Sequence, residues 1–212
     1  MKSADTPSRT DHFYGRKTEL ETMTDCLMPG SHQRRAVVLS GLGSFGKTQL
    51  ARQFQHLHAN HYSSQIWIRS TSFAGLDKNF PASKIVLHID EYRPNRDRPR
   101  PELMPPSTLP FHHIKARLES EANKGWLLVI DDIQDLQDRY RISELLPICD
   151  HGTIICLTSR KNLRLPALLN AKELDVGALD NDAAVEMFLS RVYEEYPSMS
   201  PSAAGKFQSL VL

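Results

Sequence analysis

The sequence has few cysteines, no long apolar run and no excess of charge of either sign. Its three cysteines, Cys26, Cys149 and Cys156, are too few and too scattered for a disulfide framework or a zinc site with paired ligands. No apolar run approaches the roughly 20 residues that span a bilayer, and the first residues lack the apolar segment of a signal peptide. We therefore expect a cytoplasmic protein with no membrane partner.

The charge balance excludes some partners as well. A formal net charge of +1, from 26 basic and 25 acidic residues, gives no reason to expect a nucleic acid partner. The sequence has no G-x-S-x-G, no catalytic Cys/His signature and no aromatic-basic RNA-binding pattern. Hydrophobic residues make up 40% of the chain, which is typical of a folded globular protein. Recognition of any partner must therefore depend on a local site and not on the overall charge of the chain.

Four short runs of aliphatic and β-branched residues predict buried strands. The runs are continuous rather than alternating, which favours central parallel strands covered by helices on both faces. Longer segments with helical spacing separate them, so the sequence predicts an α/β fold. The predicted strands are Arg35 to Ser40, Gln65 to Arg69, Trp126 to Ile130 and Thr153 to Thr158.

Three segments have the spacing of amphipathic helices. One follows the first strand, one can end at Gly125, and one can be capped by Asp180. The positions that define their inner faces are Leu50, Phe54, Leu57 and His58 in the first, Phe111, Ile114, Leu118 and Ala122 in the second, and Ala184, Met187 and Phe188 in the third.

Two segments are predicted to be irregular. The stretch at about 93–110 is rich in proline and arginine, so no helix or central strand persists there. Its arginines could contact a phosphate-bearing partner, but Asp97 and Glu102 dilute their charge, and we interpret it as a solvated surface loop. Residues 1–12 are polar and predict a flexible tail.

The stretch LSGLGSFGKTQLA, between the first strand and the first helix, carries the strongest chemical signal. It fits the pattern G-x-x-x-x-G-K-[ST], whose fixed positions are Gly41, Gly46, Lys47 and Thr48. The glycines let backbone N–H groups point at phosphate oxygens, and the helix directs its positive end at the same place. We expect Lys47 to bridge the β- and γ-phosphates and the Thr48 hydroxyl to be a Mg²⁺ ligand. A plain turn with a solvated lysine is the alternative.

Two further strands end in polar residues. LLVIDDI, from Leu127 to Ile133, predicts Asp131 in the magnesium shell and Asp132 as the base that polarises the attacking water. CLTSR, from Cys156 to Arg160, places Arg160 where it could reach a γ-phosphate and so distinguish ATP from ADP. Each pattern alone is also typical of a turn or a surface charge. Their occurrence beside a phosphate-binding loop favours a nucleotide site.

These motifs, with FYGRKTELETM ahead of them, resemble the NB-ARC branch of the STAND nucleotide-binding switch proteins, and most of all the nucleotide-binding modules of fungal NOD-like proteins. The resemblance covers about residues 13–212. It implies a P-loop NTPase three-layer α/β sandwich with a five-stranded parallel sheet, in which the strand ending at Arg160 lies between the two other motif strands. Ala171 to Val176 would supply the fifth strand.

The resemblance also implies a division of the chain and a set of site residues. A nucleotide-binding domain would cover 13–176, and the incomplete start of a small helical, ARC-like domain would cover 177–212. FYGR is similar to the family segment that lies over adenine and ribose, although Phe13 and Tyr14 could equally anchor the tail to the core. Motif and resemblance together give the cofactor-binding positions Tyr14, Arg16, Gly41, Leu42, Gly43, Ser44, Phe45, Gly46, Lys47, Thr48 and Gln49, the catalytic positions Lys47, Asp132 and Arg160, and the metal positions Thr48 and Asp131.

Two departures from the family pattern bear on function. The family often has glycine where this chain has Ser44, a change that could stiffen the loop. The family's Gly-x-Pro segment, winged-helix domain and repeat sensor are not found in these residues. We therefore expect nucleotide binding without the complete switch.

The leading hypothesis is an ADP/ATP-binding module of a STAND-type molecular switch, with slow Mg²⁺-dependent ATP hydrolysis at most. The alternative is a non-catalytic interaction module that uses nucleotide only structurally and associates with itself or with full-length switch proteins. A small-molecule kinase is disfavoured because no arginine-rich lid follows the Asp131 strand. Adenine over guanine rests on the resemblance, since no N-K-x-D motif is present.

Overall fold

The structure is a computed structural model that describes residues 13–28, 35–70, 90–92, 115–116, 118–120, 124–147 and 152–195. The predicted tail at 1–12, the predicted loop at about 93–110 and the end of the predicted helical domain, 196–212, lie outside these residues. So does most of the helix predicted around Leu118, of which 115–116 and 118–119 are described and are helical.

The described elements alternate between strands and helices. In chain order they are α1 (Lys17–Leu27), β1 (Arg35–Ser40), α2 (Lys47–Leu57), β2 (Ser64–Arg69), β3 (Asp90–Tyr92), β4 (Trp126–Ile133), α3 (Leu136–Leu145), β5 (Gly152–Thr158), α4 (Leu165–Leu169), β6 (Lys172–Asp175) and α5 (Asn181–Glu195), with 3₁₀ turns at Ala59–His61 and Lys161–Leu163. None of the described helices has the length and apolar character needed to cross a bilayer.

The strands form one sheet in the order β3-β2-β4-β5-β1-β6. Five of them are parallel, and β3 pairs antiparallel with β2 at one edge. The predicted five-stranded parallel sheet is confirmed, including the position of β5 between β1 and β4. The short edge strand β3 has no sequence signal that we recognised. Because parallel strands end at the same edge, β1, β4 and β5 deliver their last residues side by side.

Apolar side chains cover both faces of the sheet and make the three-layer sandwich. On one face α1 and α2 pack against the strands, and on the other α3 and α4 do so. The first layer contains Met23, Leu39, Leu50, Phe54, Trp67, Val129 and Ile155, and the second contains Val38, Ile68, Trp126, Ile130, Ile142, Cys156 and Leu165. Burial on both faces explains the continuous apolar runs in the sequence.

Two helix predictions had different outcomes. Asp180 caps α5 as predicted, since the backbone N–H of Ala183 donates to its Oδ1 at 2.7 Å. In α2, Leu50 and Phe54 are buried as predicted, but Leu57 is 55% exposed. The prediction for Leu57 was wrong because α2 ends at that residue, where the chain has left the apolar layer.

Trp126 requires a glycine beside it. Its indole N–H donates to the carbonyl of Leu118 at 2.8 Å, and this hydrogen bond fixes the buried ring against the start of β5. A Cβ added at Gly152 would lie 2.1 Å from the ring. In a close-packed core, any side chain at position 152 would overlap the Trp126 ring. The position of the ring therefore requires glycine at the start of β5.

We predict that Gly152→Ala lowers the free energy of unfolding by about 1–3 kcal/mol, because the added methyl must displace Trp126 or the strand. Urea unfolding followed by tryptophan fluorescence measures the effect. Gly43→Ala is the matched control, since a Cβ there has no neighbour within 4 Å, and it should leave stability nearly unchanged. Equal stability of the two variants would contradict the packing argument.

His58 joins the end of α2 to α1. The Thr24 hydroxyl donates to the carbonyl of Leu20 at 2.8 Å, so the 3.1 Å contact with His58 Nε2 makes that nitrogen the donor. The His58 ring also lies 4.5 Å from the Phe54 ring centroid. Burial, and secondarily the charge of nearby His61, lowers the pKa of His58. The folded protein therefore favours neutral His58.

We predict a pH-dependent stability that comes from His58. Because its pKa is lower in the folded than in the unfolded state, its contribution is complete above about pH 6.5 and is lost as the pH falls through the folded-state pKa. Unfolding free energies measured from about pH 7.5 to pH 5 should fall more steeply for the wild type than for His58→Gln. His56→Gln, at an exposed site, should keep the wild-type slope.

Candidate functional site

The glycine-rich loop, residues 41–46, leaves the end of β1 in a tightly wrapped conformation. Gly41 has a φ of 146°, and a Cβ there would lie 2.3 Å from the carbonyl oxygen of Val176. Gly46, with a φ of 84°, precedes the first residue of α2. These torsions turn the chain directly into the helix. Successive backbone N–H groups of such a turn form a concavity suited to an anion.

Ser44 also lies in the left-handed region, with a φ of 64°. A residue with a Cβ is strained there by roughly 1 kcal/mol or more, and glycine is not. This is the position at which the resembling family often has glycine. The loop therefore keeps the backbone shape that glycine favours, with a serine in its place.

The amine of Lys47 lies across the glycine-rich loop. Its Nζ donates to the carbonyls of Gly41 at 2.9 Å and Leu42 at 2.8 Å. Burial lowers the pKa of Lys47, while the charges of Asp131 and Asp132 act in the opposite direction. The loop's own carbonyls thus hold an ammonium group at the mouth of the concavity, where phosphate oxygens can replace them as acceptors.

Thr48, in the first turn of α2, meets Asp131 of β4. The Thr48 hydroxyl oxygen lies 3.3 and 3.4 Å from the two carboxylate oxygens of Asp131. These hydrogen bonds are long beside the usual hydroxyl–carboxylate distance of about 2.7 Å, so the carboxylate holds the hydroxyl only weakly. Burial raises the pKa of Asp131, opposed by hydrogen bonds from the Asp132 backbone and from Thr48.

The donor set of Thr48 and Asp131 fits Mg²⁺. That ion prefers oxygen ligands and is usually bound through one or two carboxylates together with phosphates and water. A buried carboxylate beside a hydroxyl, next to the glycine-rich loop, would supply the protein's part of this arrangement. The structure thus brings together the two residues predicted as metal ligands, although their role stays a prediction.

Asp132 differs from its neighbour. It is exposed, has a φ of 62° and lies at the register shift where β4 passes from Ile130 to Ile133. Its Oδ1 accepts a hydrogen bond from the Gln134 side chain at 2.9 Å. Its backbone carbonyl accepts from the Ser70 hydroxyl. The bulge leaves this carboxylate exposed to solvent, unlike that of Asp131. Its role as the base stays a prediction.

Buried Asp138 supports the bulge from below. Its Oδ2 accepts from the backbone N–H of Gln134 at 2.9 Å and from the Ser70 hydroxyl at 3.0 Å. Asp138 lies in the first turn of α3, and Asp135 caps this helix by accepting a hydrogen bond from the Asp138 N–H at 2.8 Å. Sequence reasoning missed Ser70 and Asp138. The spacing of Asp135 and Asp138 at the start of a helix was the available signal.

Arg160 reaches the expected edge of the sheet. It is exposed, and its backbone N–H donates to the Thr158 hydroxyl at 2.9 Å. That hydroxyl donates in turn to the carbonyl of Ile133 at 2.7 Å, which ties the end of β5 to the end of β4. The backbone that carries Arg160 is therefore fixed next to the bulge, while its role toward a γ-phosphate stays a prediction.

The segment before α1 contacts both the glycine-rich loop and α5. The Arg16 guanidinium donates to the carbonyls of Gly177 at 2.6 Å and Phe45 at 3.2 Å, and it pairs with Glu19 at 2.8 Å. The Tyr14 hydroxyl donates to Ser190 Oγ of α5. A side chain that is only 8% exposed and bonded to carbonyls of distant segments braces them. The predicted contacts of Tyr14 and Arg16 with adenine and ribose stay predictions.

Arg69, the last residue of β2, was missed by the sequence analysis. It is paired in register with Asp131 on β4, and its positive charge lowers the pKa of that carboxyl, although burial outweighs it. The available signal was a polar residue at the end of a buried strand, the same signal that identified Asp131 and Arg160.

Solved structures share the fold at low sequence identity. Cdc6p from Pyrobaculum aerophilum is 15% identical with a TM-score of 0.55, over 89% of this chain and 52% of that chain. AMPPCP-bound DnaA from Aquifex aeolicus is 14% identical with a TM-score of 0.52, over 91% of this chain and 56% of that chain. A chain of the HORMA:CdnC:Trip13 complex of E. coli MS115-1 is 13% identical with a TM-score of 0.56, over 96% and 74%. The predicted P-loop NTPase fold is confirmed.

Sequence comparison identifies the family. The family model for the AAA ATPase domain matches residues 12–153. A nucleotide-binding leucine-rich repeat (NLR)-like protein of Hyaloscypha variabilis is 26% identical over 163 residues, which cover 69% of this chain but only 15% of that protein. These matches confirm the resemblance seen in the motifs: the chain belongs to the AAA ATPase domain family and is a STAND-type P-loop NTPase domain.

Proposed function

We propose that this chain is the ADP/ATP-binding module of a STAND-type molecular switch, with slow Mg²⁺-dependent hydrolysis of ATP at most. The observation that carries the proposal is the contact of buried Asp131 with Thr48, the residue directly after the lysine that spans the glycine-rich loop. Membership in the AAA ATPase domain family and the nucleotide analogue bound to DnaA support it. Cytoplasmic location stays a prediction.

The geometry supports a binding role for each of these residues. Backbone N–H groups of the loop 41–46 would hold the phosphates, and Lys47 would exchange its two carbonyl acceptors for phosphate oxygens. Thr48 and Asp131 would hold Mg²⁺, which supplies charge neutralisation of the β- and γ-phosphates when bound. The braced segment at Tyr14 and Arg16 would form one wall of the adenine pocket.

The reaction would be phosphoryl transfer to water. The bond between the γ-phosphorus and the bridging oxygen breaks, a bond from the water oxygen to phosphorus forms, and Asp132 accepts the water's proton. Arg160 would stabilise the charge that develops on the transferred group. Asp132 is exposed, and Gln134 donates a hydrogen bond to it. Bulk water and the Gln134 amide therefore compete with the attacking water for this carboxylate, and we expect slow turnover for that reason.

A second candidate is the non-catalytic interaction module. The observation that favours it is the exposure of large apolar side chains on two helices: Leu136 and Tyr140 lie one turn apart on α3, and Met187 and Phe188 are adjacent on α5. On this alternative the nucleotide only stabilises the fold, and the exposed helices contact another copy of the chain or a related STAND protein.

We predict that Mg²⁺ with ADP or ATP raises the thermal midpoint of the wild type and not of Lys47→Ala. Saturation at about 100 times the dissociation constant adds roughly 2.7 kcal/mol to folded-state stability, which corresponds to several degrees. Differential scanning fluorimetry with ADP, ATP and GTP measures the shift, and exposed Lys172→Ala is the charge-matched control. The proposal fails if millimolar adenine nucleotide leaves the wild-type midpoint unchanged.

We predict that Asp132→Asn abolishes phosphate release while it keeps the nucleotide-dependent midpoint shift, because the amide cannot accept the proton but alters no binding group. A phosphate-release assay at saturating Mg²⁺–ATP, read beside the thermal shift, separates the two effects. A wild type that shifts with nucleotide but releases no phosphate above background would contradict the proposed hydrolysis, and it is the result that the interaction module predicts.

A further inference from the structure

The register of the sheet places Arg69 beside the metal pair, by which we mean Thr48 and Asp131, the two residues predicted to bind Mg²⁺. Arg69 on β2 is paired with Asp131 on β4, and paired residues of parallel neighbours project to the same face. Asp131 projects to the face that carries Thr48. Trp67, two residues before Arg69, packs in the apolar layer of that same face. The side chain of Arg69 therefore leaves the sheet on the side of the glycine-rich loop.

Contacts between β2 and α2 locate Arg69 along the helix. The Gln65 side chain donates to the carbonyl of Gln55 at 3.5 Å, and one step further along β2 the Arg52 guanidinium carbon lies 3.6 Å from the Trp67 ring centroid. The helix thus runs antiparallel to the strand. Two residues of a strand span about 6.6 Å and one turn of a helix about 5.4 Å. Two residues beyond Trp67, Arg69 is therefore level with the turn of α2 before Arg52, which is the first turn of the helix.

Charge and exposure suit Arg69 to an anionic ligand. Its side chain is half-buried at the carboxyl edge, and its positive charge acts on buried Asp131. Guanidinium groups present a planar fork of donors that matches phosphate oxygens. In the strand order, β1 carries the loop, β4 carries the acid of the metal pair, and β2 lies beyond β4. A phosphate chain that begins at the loop and passes the metal pair therefore ends toward β2.

We propose that Arg69 is a specificity-determining residue that contacts the terminal phosphate of ATP from within the same chain. This inference rests on the proposed nucleotide-binding function and adds to it a reason why the domain distinguishes ATP from ADP. The loop amides contact phosphates that both nucleotides possess, whereas Lys47 bridges the β- and γ-phosphates. Arg69 contacts the one that only ATP possesses, so its contribution is absent from ADP binding.

The test compares two affinities across variants of the whole chain. Isothermal titration with Mg²⁺–ADP and with the Mg²⁺ complex of the β,γ-methylene analogue of ATP gives a dissociation constant for each ligand. For Arg69→Gln we expect the analogue to bind at least about tenfold more weakly and ADP to change by less than about twofold, since charge-assisted hydrogen bonds to one phosphate are lost. Lys172→Ala, with the same change in charge at an exposed site, should leave both constants unchanged.

Each other outcome has a separate meaning. Equal weakening of both ligands in Arg69→Gln would overturn the inference, because it would show that Arg69 acts only by neutralising Asp131. So would constants for both ligands that equal those of the wild type. A wild type that binds neither ligand would overturn the proposed function itself. If Arg69→Gln does not fold, Arg69→Lys replaces it, and a selective loss of analogue affinity is expected because the lysine keeps the charge without the fork.

Discussion

The position of β5 between β1 and β4 is the constraint on which the site depends. Neighbouring strands lie about 4.8 Å apart, so the loop strand and the acid strand are separated by nearly 10 Å. Thr48 bridges this gap because α2 starts directly after the loop and its first turn contacts Asp131. The Thr158 hydroxyl, bonded to the carbonyl of Ile133, fixes the intervening strand against the acid strand. A different strand order would separate the hydroxyl from the carboxylate.

The sequence predicted the parts of this site that depend on short-range pattern. Strands buried on both faces must be apolar along their length, so their runs and their polar ends were legible, and the loop has a fixed spacing. The bulge at Asp132 could not be predicted from the sequence. Two aspartates interrupt the apolar run, although β4 continues through Ile133. The partners of Arg16 were also hidden, since one lies 161 residues away in the chain. Arg69 required the register between β2 and β4, which no single strand encodes.

The segment Tyr14–Arg16 links the glycine-rich loop to α5 through independent contacts. Besides its hydrogen bonds, the backbone at Gly15 lies so close to α5 that an added Cβ would be 2.7 Å from the Cβ of Ala183. Val176, just before the braced Gly177, lies against Gly41 and donates to the carbonyl of Ser40 at 2.7 Å. The segment Tyr14–Arg16, the glycine-rich loop and the entry to α5 therefore form one contact network.

Ser44 gives the glycine-rich loop an unusual thermodynamic character. Serine has fewer backbone conformations available than glycine, so the unfolded chain loses less entropy when the loop closes, while the folded loop bears the strain of a φ of 64°. If the loop binds a phosphate, as proposed, fewer loop conformations are lost on binding than in a flexible glycine loop, so the entropic cost of binding would be smaller.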